Sequence, residues 1–283
     1  MNPKARTLEE LFRLGAARLE GKPQSLIEAK VLLLRAARLS EDGFLVSPRA
    51  PLAAETEAFF LRLVEKRRQG APLSYLTGTR EFWSIHLRVS PSVLIPRPET
   101  EVLVEKVLEL ARRDHETILD VGTGSGNIAI ALAKELPQAR ILASDISLRA
   151  LNVARRNASL QKVRQVEFVR SNLFSAFRGG NLRFDFVVSN PPYVSRRDWE
   201  ALPPEIRDFE PRRALLAGES GLEVIRRLVG QAGRFLRPGG YLIFEIGDGQ
   251  RAEVLRMFGK RWTEIETAWD LAGKPRVITA RRA

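Results

Sequence analysis

Between residues 117 and 246, short apolar runs alternate with stretches of helical periodicity, and this alternation leaves few folds open to the chain. The runs are 117–121, 140–144, 165–170, 184–189 and 241–246; helical spacing fills 127–136, 147–160 and 219–236. Strands whose apolar residues run on without alternation are buried on both faces, as in parallel sheets covered by crossover helices. The pattern predicts an α/β domain built on a mostly parallel, doubly wound, Rossmann-like sheet. Two further runs, near 262–268 and 276–281, are expected to finish one edge.

Ligands of such a sheet bind beyond the carboxyl ends of the strands, beside the point where strand order reverses. The first strand here runs through Asp120 and Val121 into Gly122-Thr123-Gly124-Ser125-Gly126 and then a helix. Glycines permit positive φ and let a ligand approach the backbone. The spacing is neither the longer dinucleotide fingerprint nor a P-loop, since no Lys-Ser/Thr follows. Asp145 ends the next strand, where a carboxylate can accept both hydroxyls of a ribose. The short glycine spacing with Asp120 inside it resembles S-adenosylmethionine-dependent methyltransferases. A bare strand-to-helix turn and an NAD site are the alternatives. In that methyltransferase class a polar residue after the third strand meets the adenine amine and an apolar neighbour packs on the ring. Asn172 and Leu173 are the candidates, with leucine standing where relatives often carry an aromatic side chain.

The sharpest motif is Asn190-Pro191-Pro192-Tyr193, directly after the fourth strand. Prolines lack an N–H, fix φ and push the preceding residue to extended geometry, so the segment is stiff and presents acceptors. The Asn190 side-chain oxygen and the Pro191 carbonyl can accept both N–H bonds of a planar –NH2 group, and the Tyr193 ring can lie against its plane. An amide or aromatic amine delocalises its lone pair and is a poor nucleophile. Holding both hydrogens out of plane aims the lone pair at an electrophilic methyl, so positioning and charge complementarity carry the transfer. No metal is expected. Adenine N6 and the glutamine side-chain amide both offer such a group, and the local geometry does not separate them.

The chain has no cysteine and only His86 and His115, which excludes disulfides, thiolate nucleophiles, zinc–cysteine sites and histidine-rich metal sites. It is 44% hydrophobic and 28% charged, enough apolar content for a core. The net charge of +12 comes from 37 Arg and 9 Lys against 34 acidic residues and is spread along the chain, so it lends only weak support to a nucleic-acid role. No apolar run approaches a membrane span, and no secretory signal is visible, so a cytoplasmic protein is expected. Residues 5–20, 26–40 and 54–69 show helical spacing, with Leu8, Leu11, Phe12, Ala16 and Leu19 as one stripe, and predict a small helical bundle. Residues 80–95 alternate and predict a hairpin whose turn is not evident; Pro98 then opens a helix over 99–112.

Several segments in order resemble the PrmC/HemK family of protein-glutamine N5-methyltransferases. They include Pro72-Leu73-Ser74-Tyr75-Leu76-Thr77-Gly78, Glu81-Phe82-Trp83, Ile95-Pro96-Arg97-Pro98-Glu99-Thr100-Glu101, Leu119 to Gly126, Ser189 to Tyr193 and Glu245-Ile246-Gly247. The resemblance spans about residues 70–250. It implies a class I methyltransferase domain over 96–283, a hairpin linker over 76–95 and a small N-terminal helical substrate-recognition domain over 1–75. It also implies methylation of the glutamine in the Gly-Gly-Gln loop of class I peptide-chain release factors. S-adenosyl-L-methionine would be the donor, leaving S-adenosyl-L-homocysteine. Gly122, Thr123, Gly124, Ser125, Gly126, Asp145, Asn172, Leu173 and Asn190 would hold the cofactor; Asn190, Pro191, Pro192 and Tyr193 would hold the glutamine, with Asn190, Pro191 and Tyr193 acting in catalysis. Arg97 either lines the cofactor pocket or forms a salt bridge. A monomer is expected, without direct nucleic-acid binding. The competing readings are an adenine-N6 methyltransferase and a non-catalytic RNA- or ribosome-associated binder. His86, His115 and the four tryptophans are expected to be structural, and Arg196, Arg197, Arg212 and Arg213 to form a solvated face.

Overall fold

The computed structural model describes residues 5–112, 115–179 and 182–283. They form two compact units. One holds the residues up to Thr79 together with Pro204–Phe209; the other holds Arg80–Pro203 and Glu210–Ala283.

The first unit contains helices Leu8–Arg18, Ser25–Ala37, Glu41–Val46, Ala54–Arg68, Leu73–Thr77 and Pro204–Arg207. The first helix starts at a capping box: the Glu10 N–H donates to Thr7 Oγ1 (3.3 Å) and the Thr7 N–H to Glu10 Oε2 (2.8 Å). Its buried stripe is Leu8, Leu11, Gly15 and Leu19, with Phe12 and Ala16 only partly buried. The glycine displaces the expected alanine because a Cβ at Gly15 would stand 2.5 Å from the Phe60 ring. Under this core lies a buried guanidinium. Arg67 Nε and Nη2 donate to the two Glu28 oxygens at 2.9 and 2.6 Å, and Nη1 donates to the Ala71 carbonyl at 3.0 Å. Glu205 closes the set at 2.9 Å. Each nitrogen of the fork then has an acceptor, which burial of a charge demands.

The second unit opens with a hairpin, β1 (Thr79–Phe82), whose first residue is the last of the first unit, and β2 (Ile85–Arg88), joined by Trp83-Ser84. Both turn residues have positive φ, +51° and +54°, the pattern of a type I′ turn, without a glycine or asparagine to announce it. The Trp83 N–H donates to Glu101 (2.8 Å) and its indole N–H to Glu135 (2.7 Å), which hold the turn. The second strand ends at Arg88, where the Asn157 amide takes both backbone groups of that residue: the N–H donates to Oδ1 (2.7 Å) and the carbonyl accepts from Nδ2 (3.0 Å). Pro98 opens a single 3-10 turn, Pro98–Thr100, which runs into helix Glu101–Leu110.

The main sheet comprises β3 (Thr117–Val121), β4 (Arg140–Asp145), β5 (Val166–Arg170), β6 (Phe184–Ser189), β9 (Leu236–Glu245), β10 (Trp262–Trp269) and β11 (Pro275–Arg282). A two-stranded pair, β7 (Val194–Ser195) and β8 (Leu216–Gly218), lies in the chain between β6 and β9. Sheet order is β10-β11-β9-β6-β3-β4-β5. Neighbours from β5 to β9 run parallel, and β11 and β10 add an antiparallel edge. Strand order reverses between β3 and β6, the switch point that the alternation predicted. Helices Asn127–Glu135, Leu148–Leu160 and Glu223–Ala232 follow β3, β4 and β8. The pleat sorts apolar side chains into two cores. Ile118, Phe186, Val188 and Ile243 join the helix residues Leu103, Val107 and Ile130 on one face. Leu119, Val187, Leu242 and Phe244 join Ile225, Leu228 and Val254 on the other.

Glu28→Ala would leave the Arg67 charge buried with half of its acceptors. It is expected to lower the stability of the helical unit by about 3 kcal/mol, read as the shift in denaturant unfolding monitored by circular dichroism; an unchanged midpoint would contradict this.

Candidate functional site

Parallel strands end on the same side of a sheet, and here the register brings four loop entrances level. Val121 pairs with Ser144, Asp145 with Arg170 and Asp120 with Val188. The loops that follow line one cavity of about 290 Å³. Val121, Gly122 and Gly124 come from the loop after β3, Asp145, Ile146 and Ser147 from β4, Ser171, Asn172 and Leu173 from β5, and Ser189, Asn190, Pro191 and Pro192 from β6. Val93, Arg213, Val224 and Arg227 complete the walls.

The glycine loop is pinned by backbone bonds. The N–H groups of Gly122 and Thr123 donate to the Ser144 carbonyl at 2.8 and 2.9 Å. Gly122, Gly124 and Gly126 have φ of +81°, +56° and +84°. A Cβ at Gly122 would meet nothing within 4 Å, so the loop offers bare backbone to the cavity. A Cβ at Gly126 would lie 3.0 Å from Ile130 and 3.2 Å from Ala154, so the third glycine serves helix packing. Thr123 and Ser125 line a separate crevice of about 40 Å³ with Pro96, Arg97, Thr100 and Asn127, which shares Gly122, Gly124 and Asn190 with the main cavity. Arg97 both lines this crevice and pairs with the buried Glu210. The Ser125 carbonyl accepts from Asn157 Nδ2 at 2.8 Å, so one buried amide anchors the glycine loop and the end of β2 together.

Asp145 bridges two loops. Its Oδ2 accepts the Gly124 N–H (3.0 Å) and its Oδ1 the Ser147 N–H (2.8 Å). Each oxygen keeps a lone pair free. Burial pushes the Asp145 carboxyl above its ordinary pKa, opposed by those two N–H groups and the Arg213 charge. At the third loop, Leu173 adopts φ +51°, costly for a branched side chain. The Ser171 hydroxyl holds that bend by donating to the Leu173 carbonyl (2.7 Å), and it also accepts the Ala176 N–H (3.1 Å). Asn172 Oδ1 accepts from Arg227 at 3.2 Å.

Asn190 sits at the mouth of a buried polar chain. Its Nδ2 lies 3.0 Å from Thr100 Oγ1, which lies 2.6 Å from Glu245 Oε2. Tyr193 is not part of the cavity wall. Its ring packs on the second core, and its hydroxyl donates to Glu245 Oε1 at 3.1 Å. Burial, reinforced by the Glu245 charge, raises the Tyr193 pKa, so the phenol stays protonated. Burial also raises the Glu245 pKa, while the hydroxyls of Thr100 and Tyr193 and the Arg276 charge act the other way. Thr100 and Glu245 carry no motif chemistry of their own; only their position inside the matching segments singled them out.

Beneath the glycine loop, Asp120 is fully buried, and neither carboxylate oxygen has a hydrogen-bond partner among the described residues. Burial raises its pKa to about 7, with the Asp145 charge adding to the rise. The Thr123 hydroxyl and the Ala129 N–H temper it without reaching hydrogen-bond geometry. A bare glycine backbone, a ribose-ready carboxylate, apolar walls and an unpaired carboxylate behind them fit a nucleoside that carries a positive charge.

Other candidate residues lie outside this arrangement. His86, His115 and the tryptophans do not line the cavity. Arg196 pairs with Glu219 at 2.5 Å, and Arg212 lies over the Trp199 ring at 5.7 Å. Of the four loop arginines, Arg213 alone reaches the cavity wall.

Two family models match the chain, one described as the PrmC N-terminal domain over residues 10–78 and one as the methyltransferase small domain over residues 98–202. A relative from Koribacter versatilis, named release factor glutamine methyltransferase, is 40% identical over 98% of this chain and 99% of its own length. One of the same name from Geobacter sulfurreducens is 42% identical over 93% and 91%. Among solved structures, a methyltransferase from Pyrococcus furiosus shares the fold with a TM-score of 0.53 and 16% identity, covering 81% of this chain and 98% of that one.

The buried Asp120 generates a stability prediction. An acid whose folded pKa is raised favours folding below its ordinary pKa and loses that contribution as pH climbs toward the folded value. Between about pH 4 and about pH 7, Asp120 should erode stability. Asp120→Asn, which cannot ionise, is expected to melt higher than the parent, by a margin that widens from pH 5 to pH 8 in thermal scans of the free protein. A variant that melts lower at pH 8 would show that the carboxylate is well partnered after all.

Proposed function

The chain belongs to the release factor glutamine methyltransferase family, and on that premise we propose that it transfers a methyl group from S-adenosyl-L-methionine to the side-chain nitrogen N5 of the Gly-Gly-Gln glutamine in class I peptide-chain release factors. When bound, the cofactor supplies an electrophilic methyl on a sulfonium centre. Gly122, Thr123, Gly124, Ser125 and Gly126 form the loop that would receive it, and Asp145 would accept its ribose hydroxyls. Leu173 offers apolar packing for the adenine and Asn172 a polar edge. The carboxylates of Asp120 and Asp145 make the surroundings favourable to a cation.

Asn190 and Pro191 would hold the substrate amide through the Asn190 side-chain oxygen and the Pro191 carbonyl, one for each N–H. Pro192 donates nothing to compete with them, and the paired prolines keep the segment extended. Two acceptors drawing on the amide hydrogens raise electron density at nitrogen and hold it against the methyl donor; the nitrogen takes the methyl as the donor's carbon–sulfur bond breaks to leave the thioether and gives up one of its two protons to water, so the chain's part is orientation and electrostatics. Tyr193, protonated and turned toward Glu245, acts as a buttress and not as a base.

The observation that carries this reading is the convergence of Asp145, the glycine loop and Asn190-Pro191 on one cavity, which supports a nucleoside-holding edge beside an amide-holding edge. An adenine-N6 enzyme would share the Asn190 to Tyr193 segment. Identity of about 40% along nearly the whole chain, with a matching PrmC N-terminal domain, favours the protein glutamine. Among the described residues no helix is long and apolar enough to cross a membrane, in keeping with action in the cytoplasm on release factors.

The test is transfer of labelled methyl from S-adenosyl-L-methionine, with unmodified release factor and adenine-rich DNA offered in parallel and the label mapped by mass spectrometry. Label on the Gly-Gly-Gln glutamine is expected; label on adenine alone would overturn the substrate. Asn190→Ala should lower kcat by about 10²-fold while leaving cofactor affinity near that of the parent. Asp145→Ala should weaken cofactor binding in calorimetry by roughly tenfold or more. The reverse partition would exchange the roles assigned to the two residues.

A further inference from the structure

Asn190 is useful as an acceptor only if its amide is turned so that the oxygen, and not the nitrogen, is free. Nothing in an asparagine rotamer enforces this, because the two ends of the amide are nearly the same size. The buried chain behind it does. Thr100 Oγ1 has one proton and two neighbours, Glu245 Oε2 at 2.6 Å and the Asn190 amide at 3.0 Å. Glu245 accepts one hydroxyl on each oxygen, from Thr100 and from Tyr193, so the threonine proton is committed to Glu245, and the lone pairs of Oγ1 face Asn190. An oxygen with no proton to give can be met only by an N–H donor. The amide nitrogen must therefore turn toward Thr100, and Oδ1 is left for the substrate.

The register explains how these residues meet. In the parallel pairing of β6 and β9, Ser189 lies beside Phe244, so Asn190, just past the end of β6, and Glu245, the last residue of β9, come next along the chain on either side. Thr100, fully buried at the end of the Pro98–Thr100 turn, fills the gap between them. The second oxygen of Glu245 accepts from Tyr193, so a single carboxylate braces both ends of the Asn190 to Tyr193 segment.

We infer that Thr100 and Glu245 are positioning residues that set the direction of a hydrogen-bond chain and thereby fix which end of the Asn190 amide faces the substrate. The inference rests on the amide-methylation reading above. In Glu245→Gln the new amide can donate to Thr100, the threonine can turn its proton toward Asn190, and the asparagine can flip. In Thr100→Val the chain is cut at its middle.

The experiment compares Thr100→Val, Thr100→Ser, Glu245→Gln and the Thr100→Val/Glu245→Gln double variant in the full chain. It measures kcat, S-adenosyl-L-homocysteine affinity by calorimetry and melting temperature, with both release factor and adenine-containing DNA as acceptors. Thr100→Val and Glu245→Gln are expected to lose about 10²-fold in kcat with cofactor affinity within about twofold of the parent. Thr100→Ser, which restores the hydroxyl, should recover most of the rate, and the double variant should be no slower than Thr100→Val alone, as expected of residues acting in series. Parental kcat in Thr100→Val, failure of serine to rescue, equal losses in kcat and cofactor affinity, or multiplying losses in the double variant would each overturn the inference. Should Glu245→Gln not fold, the valine and serine pair decides alone. Because rates are compared with the parent on whichever acceptor it methylates, a wrong substrate assignment shows in the parent and a wrong positioning assignment only in the variants.

Discussion

The parallel register of β3 with its two neighbours is the constraint from which the rest of the site follows. Val121 beside Ser144 and Asp120 beside Val188 put the glycine loop, Asp145 and Asn190 at one height on one side of the sheet. A slip of one residue in either pairing would turn every side chain of the strand to the other face and exchange its core partners. The two cores resist that slip, since Ile118, Phe186 and Ile243 pack on one face while Leu119, Val187 and Leu242 pack on the other. The burial that stabilises the sheet is thus also what aligns the loops, and the chemistry needs little beyond what those loops present.

Two buried carboxylates in this sheet are treated in opposite ways. Glu245 has a donor for each oxygen, from Thr100 and Tyr193, and its two oxygens organise them. Asp120 has none, and burial raises its pKa to about 7. An unsatisfied buried charge costs stability, and proteins tolerate such a cost chiefly where function needs it. Its place under the loop that would receive a cationic cofactor supplies such a need. Leu173 at φ +51°, braced by Ser171, is a second local cost at the same cavity.

Much of this arrangement was legible in the sequence because it is local. Continuous apolar runs marked the parallel strands, and the glycine loop, Asp145, Asn172 and Asn190 could be placed from their positions just beyond strand ends. What escaped depends on tertiary partners. The hairpin turn uses Trp83 and Ser84 at positive φ, held by Glu101 and Glu135, where turn chemistry looks for glycine or asparagine. Strand β9 begins at Leu236, ahead of the expected 241, through an irregular stretch: Leu236 pairs with Phe184 and Tyr241 with Phe186, so residues 237–240 stand out of the ladder. Pro204–Phe209 belongs by contact with the helical unit, which nothing in its own composition shows. Thr100 stands 90 residues from Asn190 and 145 from Glu245, so their chain of hydrogen bonds has no sequence signature. Tyr193 was expected to lay its ring against the substrate amide; the ring instead packs on the second core and its hydroxyl turns to Glu245, a direction that depends on tertiary partners.

On the proposed function, one cavity would hold a nucleoside on Asp145 and a planar amide on Asn190 and Pro191. A crystal structure of the protein with S-adenosyl-L-homocysteine and a peptide containing Gly-Gly-Gln tests it most directly. The account predicts ribose hydroxyls on the Asp145 carboxylate and the glutamine –NH2 between Asn190 Oδ1 and the Pro191 carbonyl, with Asn190 Nδ2 still on Thr100. A glutamine bound elsewhere, or an Asn190 amide turned with its nitrogen toward the substrate, would contradict it.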